Sequence, residues 1–318
     1  MIPVRDRPLF VPTIPDGATF FSLVAVTHAL SGNMSKSVTS FQLFDCATPF
    51  PASPFAQCLY RAQVKGCIPK SNSLLERGTL FGFYSSAMST QQAHEWRLTI
   101  RPKRFQGRNT RSFIPTSVQR HLAKYGMYCC TACMEVDVGK YGLAYWHTIH
   151  QVPGIHHCPI HGLPLLGACN ACGRSQGSDS DWHLPQPSCP HCGNDHFDSR
   201  PAILTRGYQR HLGLTSELFL SNRWAISPTR RMVLYRRAFA TERKRYPERI
   251  IRSLLRDWEC TSLRQLSNFV GAEITPTFLE RAITGNDGGV NPIGHLVLVA
   301  LARSRLTGGD HFAEDCMH

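Results

Sequence analysis

Apolar residues recur at intervals of three and four along much of the chain, a spacing typical of amphipathic helices. The first such segment spans residues 16–30, and Asp16 stands where an N-cap residue is expected. Its apolar face comprises Phe20, Leu23, Val24 and Leu30. After a proline-rich loop, segments 55–64 and 74–84 are again apolar at helical spacing. We therefore predict a helical N-terminal region.

The last third of the chain has the same pattern in shorter segments. One apolar face comprises Met232, Leu234, Tyr235 and Phe239, and the next comprises Ile250, Ile251, Leu254, Leu255 and Trp258. Segments 261–270 and 275–283, with a turn at 271–273 and Pro276 at a first helical position, resemble a helix–turn–helix. The second helix would present Thr277, Glu280 and Arg281. Two ordinary helices of a bundle give the same pattern, so that alternative stays open.

Four close pairs of metal-type ligands lie between these helical regions, each with two residues between its members. The pairs are Cys130/Cys133, Cys158/His161, Cys169/Cys172 and Cys189/Cys192. Such spacing lets two side chains of a tight turn face one ion, and zinc takes four ligands in a tetrahedron. The eight ligands therefore predict two zinc ions. Closed ligand sets of this kind are typical of structural zinc, because catalytic zinc keeps an open position.

The pairs can share the ions in two ways. Neighbouring pairs would give one site of three cysteines and a histidine and a second site of four cysteines, whereas interleaved pairs would cross-brace the module. The short link from His161 to Cys169 favours neighbours. Cys129, beside a ligand, is either a substitute thiol or a buried one. The remaining histidines of this region do not form a third site by their spacing: His147, His150, His156 and His157.

Disulfide bonds explain these cysteines less well than zinc sites do. The chain has 13 cysteines, an odd number, and no signal peptide is recognisable. Reduced thiols on zinc point to a cytoplasmic protein. No run of 18 apolar residues predicts a membrane span.

These patterns together predict a mainly α-helical protein with small zinc ribbons. We divide the 318 residues into an N-terminal helical domain (1–96), a basic connector (97–128), tandem zinc-binding modules (129–200) and a basic helical C-terminal domain (201–318) that carries the candidate helix–turn–helix. A chain of this length can hold two or three domains.

The positive charge is local and rich in arginine. The formal net charge is +13, from 28 arginines and 7 lysines against 22 acidic residues. Residues 97–124 hold eight basic and no acidic residues, and residues 223–256 hold eleven basic and two acidic ones. Guanidinium groups match phosphate oxygens, so these stretches predict nucleic-acid contacts, although a solvated basic face remains the alternative. The predicted contacts are Arg97, Arg101, Lys103, Arg104, Arg108, Arg111, Arg230, Arg231, Arg236, Arg237, Arg243, Lys244 and Arg245.

The zinc region also carries a family resemblance. Its motifs are Tyr128-Cys-Cys-Thr-Ala-Cys133, Tyr141-Gly-Leu-Ala-Tyr-Trp146, Val152-Pro-Gly and His157-Cys-Pro-Ile-His-Gly-Leu-Pro-Leu165. This series resembles the TniQ/TnsD family of target-selection proteins from heteromeric cut-and-paste transposons. Thr131 stands where the family usually has proline, and Cys129 is an extra residue before the first ligand. The N-terminal segment and Thr79-Leu-Phe-Gly-Phe-Tyr84 extend the resemblance over about residues 10–170.

The resemblance implies a protein that does not cut DNA. Family members mark a target and recruit an AAA+ ATPase regulator that licenses the transposase. Short members ride on a CRISPR effector ribonucleoprotein, whereas some long members read an attachment site directly. The length favours an adaptor between such a complex and the ATPase, with direct reading of target DNA as the alternative; a homodimer is left open.

Two other classes of protein fit the sequence less well. A zinc-stabilised nuclease could use His183 and Asp181, but the series of metal ligands that should follow is absent from the sequence. A transcription regulator would need its own recognition element and no ATPase partner. No paired carboxylates, serine–histidine–aspartate order or phosphate-binding glycine loop stands out, so we expect no enzyme activity.

Overall fold

The computed structural model describes residues 9–47, 57–70, 73–100, 124, 126–199, 204–220, 227–239, 247–285 and 291–307. The helices are α1 Phe20–Leu30, α2 Lys36–Phe44, α3 Gln57–Val64, α4 Ser73–Arg77, α5 Phe81–Ser85, α6 Thr90–Ile100, α7 Thr131–Tyr141, α8 Arg206–Leu220, α9 Pro228–Ala238, α10 Glu248–Asp257, α11 Leu263–Val270, α12 Pro276–Thr284 and α13 Pro292–Leu306. These ranges contain single β-bridges but no β-strand. The predicted mainly helical fold is confirmed.

The first helix begins later than predicted. Thr19, and not Asp16, is its N-cap, because the Thr19 side chain accepts a hydrogen bond from the backbone N–H of Ser22 at 3.1 Å. Asp16 instead forms an ion pair with Arg77, a residue 61 positions further along the chain. Gly17, with a φ of +82°, separates Asp16 from the helix. Asp16, which the sequence pattern predicts as the helix cap, therefore binds Arg77 instead.

The segment predicted as one helix at 74–84 forms two short helices, α4 and α5. Residues 79–84 between and within them are all buried, including Phe81 and Tyr84. The Phe81 ring packs on Trp96 of α6, with ring centroids 4.7 Å apart. The aromatic motif therefore forms core, and none of its side chains is left for a partner surface.

The two helices of the candidate helix–turn–helix are present, and both are capped. Ser262 caps α11 and Thr275 caps α12, each by accepting a backbone N–H three residues further on, at 3.2 and 3.1 Å. Gly271 ends α11 with a φ of +67°, and the Ser267 hydroxyl accepts the Ile274 N–H at 2.9 Å across the turn. The α12 side chains predicted to be presented, Thr277, Glu280 and Arg281, are exposed.

One cluster of buried apolar side chains runs through the described parts of the whole chain. It includes Phe20 near the N-terminus, Trp146 in the zinc region and Leu298 in α13. Helix α13 is buried along most of its length and packs against α8 and α9. The predicted divisions at 96, 128 and 200 therefore mark changes in sequence pattern; as limits of independently folding units they stay a prediction.

Candidate metal centres

The first centre joins a helix to a tight turn. Cys130 is the N-cap of α7, and Cys133 lies in the first turn of that helix. Cys158 and His161 lie on a turn in which the Gly162 N–H bonds the Cys158 carbonyl at 2.8 Å. The three cysteines are buried, and His161 is exposed. The N-terminus of α7 faces the sulfurs with its positive end, which favours thiolates over thiols.

Distances within the first centre fit a tetrahedral zinc ion. The Cys133 and Cys158 sulfurs are 3.6 Å apart, and His161 Nδ1 lies 3.3 Å from the Cys133 sulfur and 3.6 Å from the other two sulfurs. Zn–S bonds of about 2.3 Å and a Zn–N bond of about 2.0 Å imply edges of about 3.8 Å between sulfurs and about 3.5 Å from sulfur to nitrogen. The donor set therefore has the size that zinc requires.

The second centre consists of two equivalent turns. The Gly173 N–H bonds the Cys169 carbonyl and the Gly193 N–H bonds the Cys189 carbonyl, both at 2.8 Å. Both glycines have positive φ angles, +70° and +75°, which glycine adopts without strain. Sulfur–sulfur distances of 3.6 Å (Cys169 to Cys192) and 3.7 Å (Cys172 to Cys189) again fit a zinc tetrahedron. This centre has four cysteine ligands.

Backbone amides prepare the second centre for a metal. Hydrogen bonds from the backbone N–H of Cys172 and Ala171 lower the pKa of Cys169 to about 7. The thiolate is the form of cysteine that binds metals, so this sulfur is available near neutral pH.

The structure has the neighbouring arrangement of pairs. All four ligand atoms of Cys130, Cys133, Cys158 and His161 lie within 4.8 Å of one another, and so do those of Cys169, Cys172, Cys189 and Cys192. The sulfurs are too far apart for disulfides, whose bond is about 2.05 Å, and the described cysteines are all free. In the part of the chain that the structure describes, no third group of metal-type ligands forms; Asp181 and His183 belong to neither centre.

His150 supports the first centre, a role that its sequence position did not reveal. Its ring is completely buried, and Nε2 lies 3.4 Å from the Cys158 sulfur and 3.8 Å from the Cys133 sulfur. Burial holds the pKa of His150 well below its ordinary value, so the ring is neutral. No described group reaches Nδ1, which leaves the proton on Nε2 as a donor to the thiolates. Three thiolates exceed the charge of one zinc ion, and this N–H offsets part of the excess.

Replacing His150 by phenylalanine is therefore expected to weaken zinc binding at the first centre by about 10- to 100-fold, because the thiolates lose their buried donor. His150→Gln keeps an N–H donor and should retain most of the affinity. Zinc release to a chromophoric chelator measures the effect. Equal release rates for wild type and His150→Phe would contradict this role.

Cys129 is a buried thiol and not a ligand. Burial raises the pKa of Cys129 to about 12, so its sulfur stays protonated. Its backbone pairs with Leu166 in both directions, at 3.1 and 2.8 Å. Cys129 therefore lies where the extended segment before Cys130 pairs with the segment that follows the turn of Cys158 and His161.

The segment between the two halves of the first centre binds the N-terminal region. The Trp146 N–H donates to the Ser22 hydroxyl at 2.8 Å, and the Trp146 carbonyl accepts the Thr19 N–H at 2.7 Å. The Trp146 indole, 1% exposed, donates to the His183 carbonyl at 2.8 Å. One tryptophan thus connects α1, the first centre and the segment between the two ligand pairs of the second centre.

The segment just before Cys158 binds the C-terminal helices. The Tyr208 hydroxyl of α8 accepts the backbone N–H groups of His156 and His157, at 2.9 and 3.0 Å. His156 Nε2 bonds the Phe269 carbonyl in α11 at 3.0 Å. Gly154, with a φ of +78°, lies so close to Val270 that a Cβ would be 2.3 Å from the Val270 carbonyl oxygen. The first centre is therefore fixed to α8 and α11.

The predicted nucleic-acid residues fall into three groups. Arg97 is held in an ion pair with Glu76 at 2.6 Å, and Arg231 is 2% exposed and donates to the Ala87 carbonyl. Arg231 is therefore a structural residue in this fold, which corrects its prediction as a surface contact. Arg230, Arg236 and Arg237 of α9 are exposed. The others lie outside the described residues: Arg101, Lys103, Arg104, Arg108, Arg111, Arg243, Lys244 and Arg245.

Comparison with known families gives one finding. The TniQ family model matches residues 62–165, a span that contains the whole first centre. The second centre and the C-terminal helices lie beyond it. The comparison with curated proteins gives no match for this chain.

Proposed function

The chain belongs to the TniQ family, whose members take part in target selection for DNA transposition, and we propose that this protein is the adaptor of that process. In this role it links a target-DNA recogniser, an RNA-guided CRISPR effector complex, to an AAA+ ATPase regulator. The observation that carries the proposal is the family match over the first centre, which is joined to both helical regions of the chain. Within the described residues, every helix is too short or too polar to span a bilayer.

The two centres support a scaffold and not a reaction. Each has four protein ligands for one ion, so zinc would be fully coordinated and would contribute rigidity and folding energy. We further propose that the protein has no nuclease activity. Strand cleavage by the purified protein in the presence of a divalent metal, abolished by His183→Ala, would overturn that proposal.

Co-purification tests the adaptor role. Full-length protein is co-expressed with a candidate AAA+ ATPase regulator and, separately, with a guide-RNA effector complex. The proposal expects both partners to be retained through size-exclusion chromatography. Truncating residues 1–96 is not a useful control, because Trp146 would lose its hydrogen bonds to Thr19 and Ser22. Retention of neither partner by the folded, zinc-loaded protein would contradict the proposal.

Direct reading of target DNA is the second candidate function. The capped helices α11 and α12, with Thr277, Glu280 and Arg281 exposed, favour it specifically. In that case the protein itself, and not a guide complex, would recognise the target DNA, and the ATPase would remain its partner.

A further inference from the structure

We propose that helices α10 and α12 form a surface for duplex DNA, in which Arg249, Arg252 and Arg256 hold backbone phosphates and α12 enters the major groove. The proposal deepens the target-selection function above, on which it rests, by naming the surface that meets DNA. It requires neither the ATPase nor a guide complex.

The three arginines form one exposed stripe on a rigid helix. Positions 249, 252 and 256 fall within one narrow arc of α10, and all three side chains are exposed. On the opposite side Ile250 and Leu254 are completely buried in the main core. At about 1.5 Å per residue, the stripe is about 10 Å long. The core therefore holds three guanidinium groups in fixed positions at the surface.

The charges of the three arginines are not neutralised by ion pairs within the described residues. None of the three arginines has an ion-pair partner in the structure as described, whereas neighbouring arginines do. Arg210 pairs with Asp257 at 2.7 Å, and Arg303 pairs with Glu217 at the same distance. Arg305, bound to Ser253 at 2.7 Å, adds positive charge beside the stripe. Exposed Glu248 and Glu259 lie only at its two ends.

Basic helices lie on both sides of the helix–turn–helix. Helix α10 packs against α11, and α9, with exposed Arg230, Arg236 and Arg237, packs against α12. In helix–turn–helix proteins the second helix lies in the major groove, and flanking elements contact the backbone. The arrangement here supplies positive charge next to each helix of the pair.

Helix α12 carries the side chains that read bases. Thr277, Glu280 and Arg281 are exposed within its first two turns, next to the capped N-terminus. Arginine binds guanine in a bidentate manner and glutamate accepts from the cytosine amino group. Arg281 and Glu280 would therefore specify bases, while the α10 stripe binds any sequence.

Salt titration of the full-length protein on a 30-base-pair duplex tests the stripe. Each phosphate contact adds about 0.9 to the slope of log affinity against log salt, so replacing Arg249, Arg252 and Arg256 by alanine should lower the slope by about 2.7. Between about 50 and 200 mM salt, the fall in affinity should then be about 40-fold smaller than for wild type. All three side chains are exposed, so zinc content and circular dichroism should not change.

A matched control removes the same charge elsewhere. Lys70, Lys140 and Arg174 are exposed outside the proposed surface, and replacing them by alanine should change the slope by much less than the stripe variant. Equal slopes for wild type and the stripe variant, or equal losses in both triple variants, would overturn the proposal. So would failure of wild type to bind duplex DNA at low salt. Retained co-purification with the ATPase in those cases would leave the adaptor function standing.

A separate experiment tests whether α12 recognises bases. Wild-type protein selects sequences from a random duplex library, and Arg281→Ala is compared on the selected and on unselected duplexes. The proposal expects the preference to fall by about 10-fold or more with the salt slope nearly unchanged, as for loss of one bidentate base contact. An unaltered preference, or absence of any preference in wild type, would remove α12 from the surface.

Discussion

Cys133→Ser is expected to abolish cooperative folding, whereas Cys172→Ser is expected to remove one zinc ion and leave most of the fold intact. Cys130, Cys133 and Cys158 belong to the main apolar core, and the segments around them bind α1, α8 and α11. Structural zinc contributes about 10–16 kcal/mol in small modules, as much as the about 5–15 kcal/mol by which whole proteins are stable. Loss of the first centre should therefore exceed the stability of the chain.

The second centre packs in a small apolar cluster of its own. Its buried residues Cys169 and Cys189 cluster with Phe197, outside the main core, and Cys172 is exposed. Zinc analysis with thermal unfolding measures the difference: about two equivalents for wild type and one, with a retained transition, for Cys172→Ser. Cys260→Ser, a half-buried thiol in neither centre, is the control. A Cys133→Ser protein with two zinc ions and an unchanged transition would contradict the assignment of the first centre.

Gly154→Ala is expected to lower the free energy of unfolding by about 2–5 kcal/mol, from the strain of a left-handed backbone and from overpacking. The φ of +78° disfavours any side chain, and the new Cβ would meet the Val270 carbonyl at 2.3 Å, a backbone atom that cannot rotate away. The contact between the first centre and α11 must open to admit the methyl group. Chemical denaturation monitored by circular dichroism measures the loss.

Gly142→Ala separates the effect of backbone strain from the effect of overpacking. Gly142 has nearly the same backbone, with a φ of +79°, but nothing lies within 4 Å of the position that a Cβ would take there. It should lose only the strain, about 1–2 kcal/mol. Equal losses for the two variants would show that the approach to Val270 contributes nothing to stability.

Local spacing made the metal centres predictable, because the two ligands of each pair and the glycine after three of the pairs define the turn by themselves. The capped helices α11 and α12 were predictable for the same reason. The roles of Asp16, His150 and Arg231 were not, since each depends on a partner far away in sequence or on burial. Arg231, for example, donates to Ala87, which is 144 residues away. Composition correctly indicated excess positive charge but could not tell an exposed arginine from a buried one.

The bonds between Ser22 and Trp146 also set an order of events during translation. The two residues are 124 positions apart, and a ribosome adding about 5–20 residues per second needs about 6–25 s to cover that distance. Until then the Ser22 hydroxyl can bond Thr19 but lacks its two bonds to the Trp146 backbone. His161 follows only 15 residues after Trp146. The nascent N-terminal region therefore completes its packing only when the short stretch of chain that also completes the first set of four metal-type ligands has been synthesised.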